Sequence, residues 1–301
     1  MTAAVVRARS QSIESANAKL AARLVLPAWL LIIIVFALPI LGAVYLSFRN
    51  ETLGGLVTPG FVGWDNYTNA LADPQFWGSI WVTIIFVVLA LAIQIPLGIG
   101  LAVLLHRNLA GTQIFRTILI IPMLLTPVAV GLIWRFLFDV DLGIVDWALG
   151  QVGLTGPNWI GSRWPAIWAV AIVDSWQSIP FVMLITLAGL AGLPKGPSEA
   201  AAIDGANAFQ IFFLVTLPSL VPVILVTAMI RIIDVLKTFD LIYILTGRGG
   251  PGTATQTLGM LTYNTGFIFF QTSRAAALGV LMVILVAPIY VMWRKAARYA
   301  Q

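Results

Sequence analysis

Four ionisable side chains, Asp174, Arg231, Asp234 and Lys237, lie within stretches otherwise suited to lipid. A charge at the centre of a membrane helix costs at least about 2.5 kcal/mol, so those that persist face a cavity or a partner. Asp174, Gln177, Ser178 and Phe181 share one helical face by their i, i+3, i+4, i+7 spacing, and Arg231, Asp234 and Thr238 share another. Carboxylates and an amide exchange hydrogen bonds with hydroxyl groups, while a phenylalanine ring offers a flat apolar wall. Such a set suits a polyhydroxylated solute. The same residues could instead neutralise one another, Asp234 with Arg231 or Lys237 and Asp174 with Arg231.

A second constellation is the run EAAAIDGANAFQIFFLVTLP at 199–218. Pro194 and Pro197 mark a loop, Ser198 is the expected N-cap, and Glu199 falls in the first helical turn, where the helix dipole favours an acid. Gly205 then interrupts a good helix-forming run. Phe209, Phe212, Phe213 and Leu217 recur at helical spacing, and Pro218 opens the next apolar stretch, so two short helices hinged at the glycine are expected. An interfacial helix-turn-helix under its own bundle would account for the phenylalanines. It accounts less well for a knob of Ala200, Ala201, Ala202, Gly205 and Ala206 beside the carboxylates of Glu199 and Asp204. Small residues mark places where another backbone comes close, which points to a docking surface for a partner.

The elements that must carry these residues follow from composition. The 301 residues are 60% hydrophobic and 10% charged, with a mean hydropathy of +0.97, which excludes a soluble domain with a polar shell. The absence of cysteine excludes disulfides and thiolate chemistry, and a single histidine, His106, leaves too few imidazoles for most catalytic metal sites. No metal site is therefore expected. A bilayer core needs about 20 apolar residues per helix, and six stretches qualify: about 24–48, 80–105, 115–138, 164–190, 218–245 and 275–294. The first is too long for a signal-peptide core and reads as a retained helix.

Lysine and arginine orient the spans. With the N-terminus inside, Arg7, Arg9, Lys19, Arg23, Arg107, Arg116, Lys195, Arg294, Lys295 and Arg298 face the cytoplasm, against Arg49, Arg163, Arg248 and Arg274 outside. Trp64, Trp77, Trp81, Trp159 and Trp164 cluster near the proposed outer ends, as an interfacial belt would. The expected organisation is a cytoplasmic tail over 1–23, a transmembrane domain over 24–296 that includes the amphipathic segment at about 198–212, and a cytoplasmic tail over 297–301. The basic tail 1–20 would rest near anionic lipid, the net charge of +5 calling for no nucleic acid. GRGGPG at 247–252 lacks the Lys-Ser/Thr pair of a phosphate loop and reads as a turn.

Glu199-Ala200-Ala201, Asp204-Gly205-Ala206 and Leu217-Pro218 resemble, residue for residue, the EAA signature of ATP-binding-cassette importer permeases. LKTFDLIYILTGRGGPGTAT at 236–255 looks like the end of the fifth helix and following loop of carbohydrate-importer permeases of the maltose type. GWDNY at 63–67 and PFVMLITLAGLAGLP at 180–194 also fit, so the resemblance covers nearly the whole chain after residue 24. KGPSEAA departs from the bulkier acidic-aromatic approach of many relatives.

The resemblance implies an all-α membrane protein with six transmembrane helices, the type I ABC importer permease fold, and a cytoplasmic EAA coupling helix seated in an ATPase. Glu199, Ala200, Ala201, Asp204, Gly205 and Ala206 would form that contact, with Glu199 paired to a basic ATPase residue and Gly205 making the turn. It also implies a non-catalytic subunit of the bacterial inner membrane. Its partners would be a second homologous permease, two cytoplasmic ATPases that bind ATP and magnesium, and an extracytoplasmic solute-binding protein; no G-x-x-x-x-G-K-[ST] occurs in the chain. Aligned on Trp176 and Pro180, and on Pro218 and Thr246, the residues Asp174, Gln177, Ser178, Phe181, Arg231 and Asp234 fall at positions similar to those lining the family's sugar site. A sugar or related polyhydroxylated solute is the implied cargo. Glycerol-3-phosphate or a polyol is the alternative, with Asp234 weakening the attraction of Arg231 for phosphate. An ion-coupled secondary transporter using Asp174 or Asp234, and an intramembrane enzyme with paired carboxylates, are the readings from other classes.

Overall fold

The computed structural model describes residues 24–52, 55, 58–107 and 111–299, with side chains to 288. The expected tail 1–23, residues 300–301 of the expected tail 297–301, and the basic side chains placed at 1–23 and at 294–298 lie outside the described residues. The chain is mostly helical: α1 (Leu24–Ser47), α2 (Asp65–Ala72), α3 (Pro74–His106), α4 (Thr112–Leu124), α5 (Pro127–Leu137), α6 (Ile144–Gln151), α7 (Arg163–Gly192), α8 (Gly196–Ile203), α9 (Ala208–Lys237), α10 (Asp240–Thr246), α11 (Leu258–Tyr263) and α12 (Thr272–Tyr299). Among the described residues, α1, α3, α7 and α9 are each long and apolar enough to cross a bilayer, and α4 with α5 makes a fifth span if the bent pair is counted as one. A further apolar helical stretch covers Thr272–Pro288.

Two expected spans are broken. The stretch 115–138 turns through 98° between α4 and α5. Pro127 forces the residue before it out of the helical region, so Thr126 sits at ψ 143° and caps α5 through its hydroxyl, which accepts from the Ala129 N–H at 3.4 Å. The stretch 218–245 likewise divides, α9 ending at Lys237 and α10 starting at Asp240. Apolar residues flank both breaks, resuming at Val128 after the first and at Leu241 after the polar Lys237, Thr238 and Asp240 of the second, so a long hydropathy window passed over them. Pro218 stands, as expected, in the first turn of the regular α-helix Leu217–Lys237, but that helix is entered through a π-helical turn at Phe212–Thr216, so α9 runs on from Ala208. The cap of α8 is also displaced, falling at Lys195 with the Ser198 hydroxyl donating to the Lys195 carbonyl at 2.8 Å.

The core is the α3–α7 pair. Both helices carry small residues that are wholly buried, Ala90 and Ala102 on α3 and Ala166, Ala169 and Ala171 on α7. Such residues let backbones approach where hydrophobic driving force between helices is weak. At Gly98 a β-carbon would lie 2.5 Å from Val182 Cγ1 and 3.1 Å from the Met183 amide nitrogen, so the approach requires glycine. Phe86, Val130, Phe138, Val235, Leu241, Ile242, Leu245 and Met260 extend this core across α5, α9, α10 and α11.

One end of the bundle is tied by polar contacts. Asn66 donates to the Ser47 and Arg49 carbonyls at 2.9 and 2.7 Å, and Tyr67 and Ser47 share a 2.6 Å hydroxyl bond. Arg49–Asn50 pairs antiparallel with Gly60–Phe61, and at the start of α12 the Glu51 N–H donates to Ser273 Oγ while the Glu51 carbonyl accepts from Thr272 Oγ1 and the Ser273 N–H. These contacts hold α1 to the bundle, for its own apolar surface faces outward along almost its whole length. GRGGPG forms the expected turn, with positive φ at Gly247, Arg248, Gly249 and Gly252.

Gly98→Ala should lower the stability of the purified protein by about 1–3 kcal/mol, read as a shift in thermal unfolding in detergent. Val182→Ala in the same chain should recover part of that loss. Gly100→Ala, where a β-carbon meets open space, should cost little.

Candidate functional site

The buried centre of the site is a ring of three side chains from three helices. Arg231 of α9 donates from Nη2 to Asp174 Oδ2 at 2.9 Å and from Nε to Gln94 Oε1 at 2.8 Å. Gln94 of α3 closes the ring by donating from Nε2 to the same Asp174 oxygen at 2.7 Å, with Ser175 Oγ also within 3.3 Å. The orientation of the Gln94 amide follows from chemistry, since a guanidinium has no acceptor and a carboxylate no donor. Gln94 is completely buried, and the side chains of Arg231 and Asp174 are 8% and 7% exposed. Taking two charges out of water is repaid only with good geometry and further hydrogen bonds, and Gln94 supplies these to both members of the pair.

From this ring the charge pattern runs outward along α9. Arg231 Nη1 lies 3.5 Å from Asp234 Oδ2, and Asp234 Oδ1 lies 3.1 Å from Lys237 Nζ. All three pairings weighed from the sequence, Asp174 with Arg231 and Asp234 with both Arg231 and Lys237, are therefore present together. They do not close the space, because the Asp234 side chain remains 40% exposed.

That exposed side opens on a cavity of about 270 Å³ lined by Asp174, Gln177, Ser178, Phe181, Arg231 and Asp234, all six of the residues singled out from the sequence. Met123, Pro127, Thr238, Asp240 and Leu241 complete the wall. The cavity sits where the two broken spans face α7. Irregular backbone at membrane depth is tolerated where protein buries it or a cavity receives it, and here side chains take up several of the freed groups. Gln177 Nε2 donates to the Leu125 carbonyl at 2.8 Å, replacing a helical bond lost at the α4–α5 break. Thr238 Oγ1 donates to the Asp234 carbonyl at 2.9 Å, and Asp240 Oδ1 accepts from the Leu241 N–H at 2.9 Å.

Sequence reasoning missed Gln94, the member that joins the other two. Its signal was a single amide in the apolar run LAIQIPLGIG at 91–100, uncharged and so easier to overlook than an aspartate. Asp240 was missed because it sits inside a stretch whose hydropathy reads as one continuous span.

The second constellation lies elsewhere. Glu199, Ala200, Asp204 and Gly205 are exposed, Ala201 and Ala206 half-buried. Gly205 has φ +86° and open space about its α-carbon, so it makes the turn in the left-handed region that glycine alone adopts without strain. Asn207 then starts α9 with a reciprocal capping box to Gln210. Ile203 and Phe209 project beside the turn, 86% and 71% exposed. A cavity of about 260 Å³, lined by His106, Leu190, Pro194, Lys195, Ser198 and Thr216 among others, shows that the ends of α3 and α7 and the start of α9 meet here.

Residues 94–296 match the family model described as binding-protein-dependent transport system inner membrane component. The chain is 42% identical over 275 residues to a probable ABC transporter permease protein of Sinorhizobium fredii, covering 89% of this chain and 87% of that one. It is 33% identical over 283 residues to the trehalose/maltose transport system permease protein MalF of Thermococcus litoralis, covering 94% and 95%. Its fold is similar, at a TM-score of 0.80 and 21% identity over 97% of this chain and 99% of the other, to a chain in the crystal structure of a bacterial ABC transporter involved in the import of the acidic polysaccharide alginate. The corresponding function is that of a non-catalytic, multi-pass permease subunit of an ABC importer. With a buried polar ring, a walled cavity and an exposed glycine turn on one helical frame, the chain belongs to the family of binding-protein-dependent transport system inner membrane components.

Proposed function

We propose that this permease carries a sugar or related polyhydroxylated solute through the cavity beside Asp174 and Arg231. The observation that supports this most is the meeting of Asp174, Gln177, Ser178, Phe181, Arg231 and Asp234 around one cavity. Its wall combines hydrogen-bonding groups with the Phe181 ring, the mixture that a sugar's hydroxyls and apolar C–H face require. The name of the Thermococcus litoralis relative, a trehalose/maltose permease, agrees with this cargo.

The chain spans the membrane six times, Thr272–Pro288 and its continuation forming the last crossing, with both termini in the cytoplasm. The turn of Glu199, Ala200, Ala201, Asp204, Gly205 and Ala206 is a coupling helix. It seats in one of two cytoplasmic ATPases, which bind the ATP and magnesium, and Glu199 pairs there with a basic residue. A second homologous permease forms the other half of the path, and an external binding protein delivers the solute. Exposure of a small-residue turn with a flanking Ile203 and Phe209 supports a protein contact rather than a solvated loop. ATPase closure would move this turn and, through the continuous α9, the helix that carries Arg231 and Asp234.

In cells carrying the whole transporter, Phe181→Ala should reduce uptake of the sugar on which growth depends by about tenfold, equivalent to about 1.4 kcal/mol, with normal complex assembly. Unchanged uptake would remove the cavity from the solute path. Asp174→Ala, by contrast, leaves Arg231 buried and without its carboxylate and should destabilise the complex by about 3–5 kcal/mol, visible as lower thermal stability.

Gly205→Val should strain the turn by about 1–2 kcal/mol and abolish ATPase-linked uptake while the isolated permease still folds; full uptake would refute the coupling role. A reporter fused beside Lys195 should be active on the cytoplasmic side, and an external signal would reverse the topology.

A further inference from the structure

The donor and acceptor balance of the cavity bears on the charge of the solute, a step that rests on the solute-site reading above. Arg231 is the lining residue with a positive charge, and each of its three guanidinium nitrogens already faces an acceptor: Nε on Gln94, Nη2 on Asp174 and Nη1 on Asp234. Gln177 has committed one amide hydrogen to Leu125, and Thr238 its hydroxyl hydrogen to Asp234. Lys237 Nζ is held on Asp234 and its residue is not part of the wall.

The groups still open to a solute are weighted toward acceptors. Three carboxylates, Asp174, Asp234 and Asp240, line the space against one guanidinium. Asp234 is the more open of the two carboxylates paired to Arg231, and Oδ1 of Asp240 is taken by the Leu241 N–H. Gln177 Oε1 and the Ser178 hydroxyl add further acceptor capacity, beside the donors left on the Gln177 amide, the Ser178 hydroxyl and the Arg231 Nη atoms. A phosphate, carboxylate or sulfonate would bring more acceptors and a charge of the same sign into a space of low dielectric, where three carboxylates outnumber the one lining cation and two of them already pair with it. Hydroxyl and ammonium groups bring donors. We propose that the site selects neutral or amine-bearing sugars and excludes acidic and phosphorylated ones, with Asp234 and Asp240 as the residues that discriminate.

The test uses three sugars of one size that differ in charge, D-glucose, D-glucosamine and D-glucuronate, bound to the assembled transporter in lipid nanodiscs without its binding protein, so that selection by the latter does not enter. Binding is read by competition against a photoreactive glucose probe cross-linked to the permease. Glucosamine should compete at least as well as glucose, and glucuronate more weakly by about tenfold or more. In the Asp234→Asn, Asp240→Asn double variant the gap between glucose and glucuronate should shrink by about tenfold. Glucuronate competing as well as glucose overturns the inference and leaves the solute site standing. A gap unchanged in the double variant overturns the assignment to these two residues. Failure of all three sugars to compete, with no probe captured at the cavity, overturns the solute-site reading itself.

Discussion

Arg231 cannot shed its charge in a protein, and it is held almost wholly out of water near the centre of this bundle. That single constraint organises the surroundings. A guanidinium at this depth needs a counter-charge and acceptors for its remaining nitrogens, and these come from α7 as Asp174 and from α3 as Gln94. The three helices are thereby fixed in register as well as in distance, because a ring of bonds between 2.7 and 2.9 Å tolerates little sliding. Close packing at Gly98 against Val182 sets the same α3–α7 pair by steric means. The polar ring and the small-residue seam are two solutions to one problem, the scarcity of hydrophobic driving force between helices already in lipid.

The cavity is a by-product of the breaks that hydropathy conceals. Continuous helices over 115–138 and 218–245 would have satisfied their own backbone and presented smooth faces to α7. Broken, they leave free groups at Leu125 and around Thr238, and the side chains that satisfy them, Gln177, Thr238 and Asp240, become the wall of the space. Polar residues in this region therefore do two things: they complete the scaffold and they line the space. A charge balance taken from side-chain types alone would mislead, since several of the donors have been spent internally.

The exposed turn at Gly205 is connected to this region by a single covalent element. α9 starts with the Asn207 capping box and carries Arg231 and Asp234 near its other end, passing a π-helical turn at Phe212–Thr216 on the way. π-turns recur at functional positions in helices, where one extra residue in the turn rotates every side chain beyond it.

Much of this was legible in the residues alone. Hydropathy located every long helix because lipid demands unbroken apolar length, and the i, i+3, i+4, i+7 spacing identified the lining face because helical geometry leaves no choice in it. The EAA run announced its turn through Gly205, where φ is positive. Gln94 stayed hidden, since a lone amide has no pattern and its partners are 80 and 137 residues away. The bends at Thr126 and Phe239 also stayed hidden, for whether a proline or polar residue kinks, caps or breaks a helix depends on what receives the freed carbonyl. Local periodicity thus determined the helices, the faces and the candidate residues of this protein. Tertiary structure alone decided which donors were already committed and how much space was left between them, because both depend on contacts between segments that no window of sequence contains.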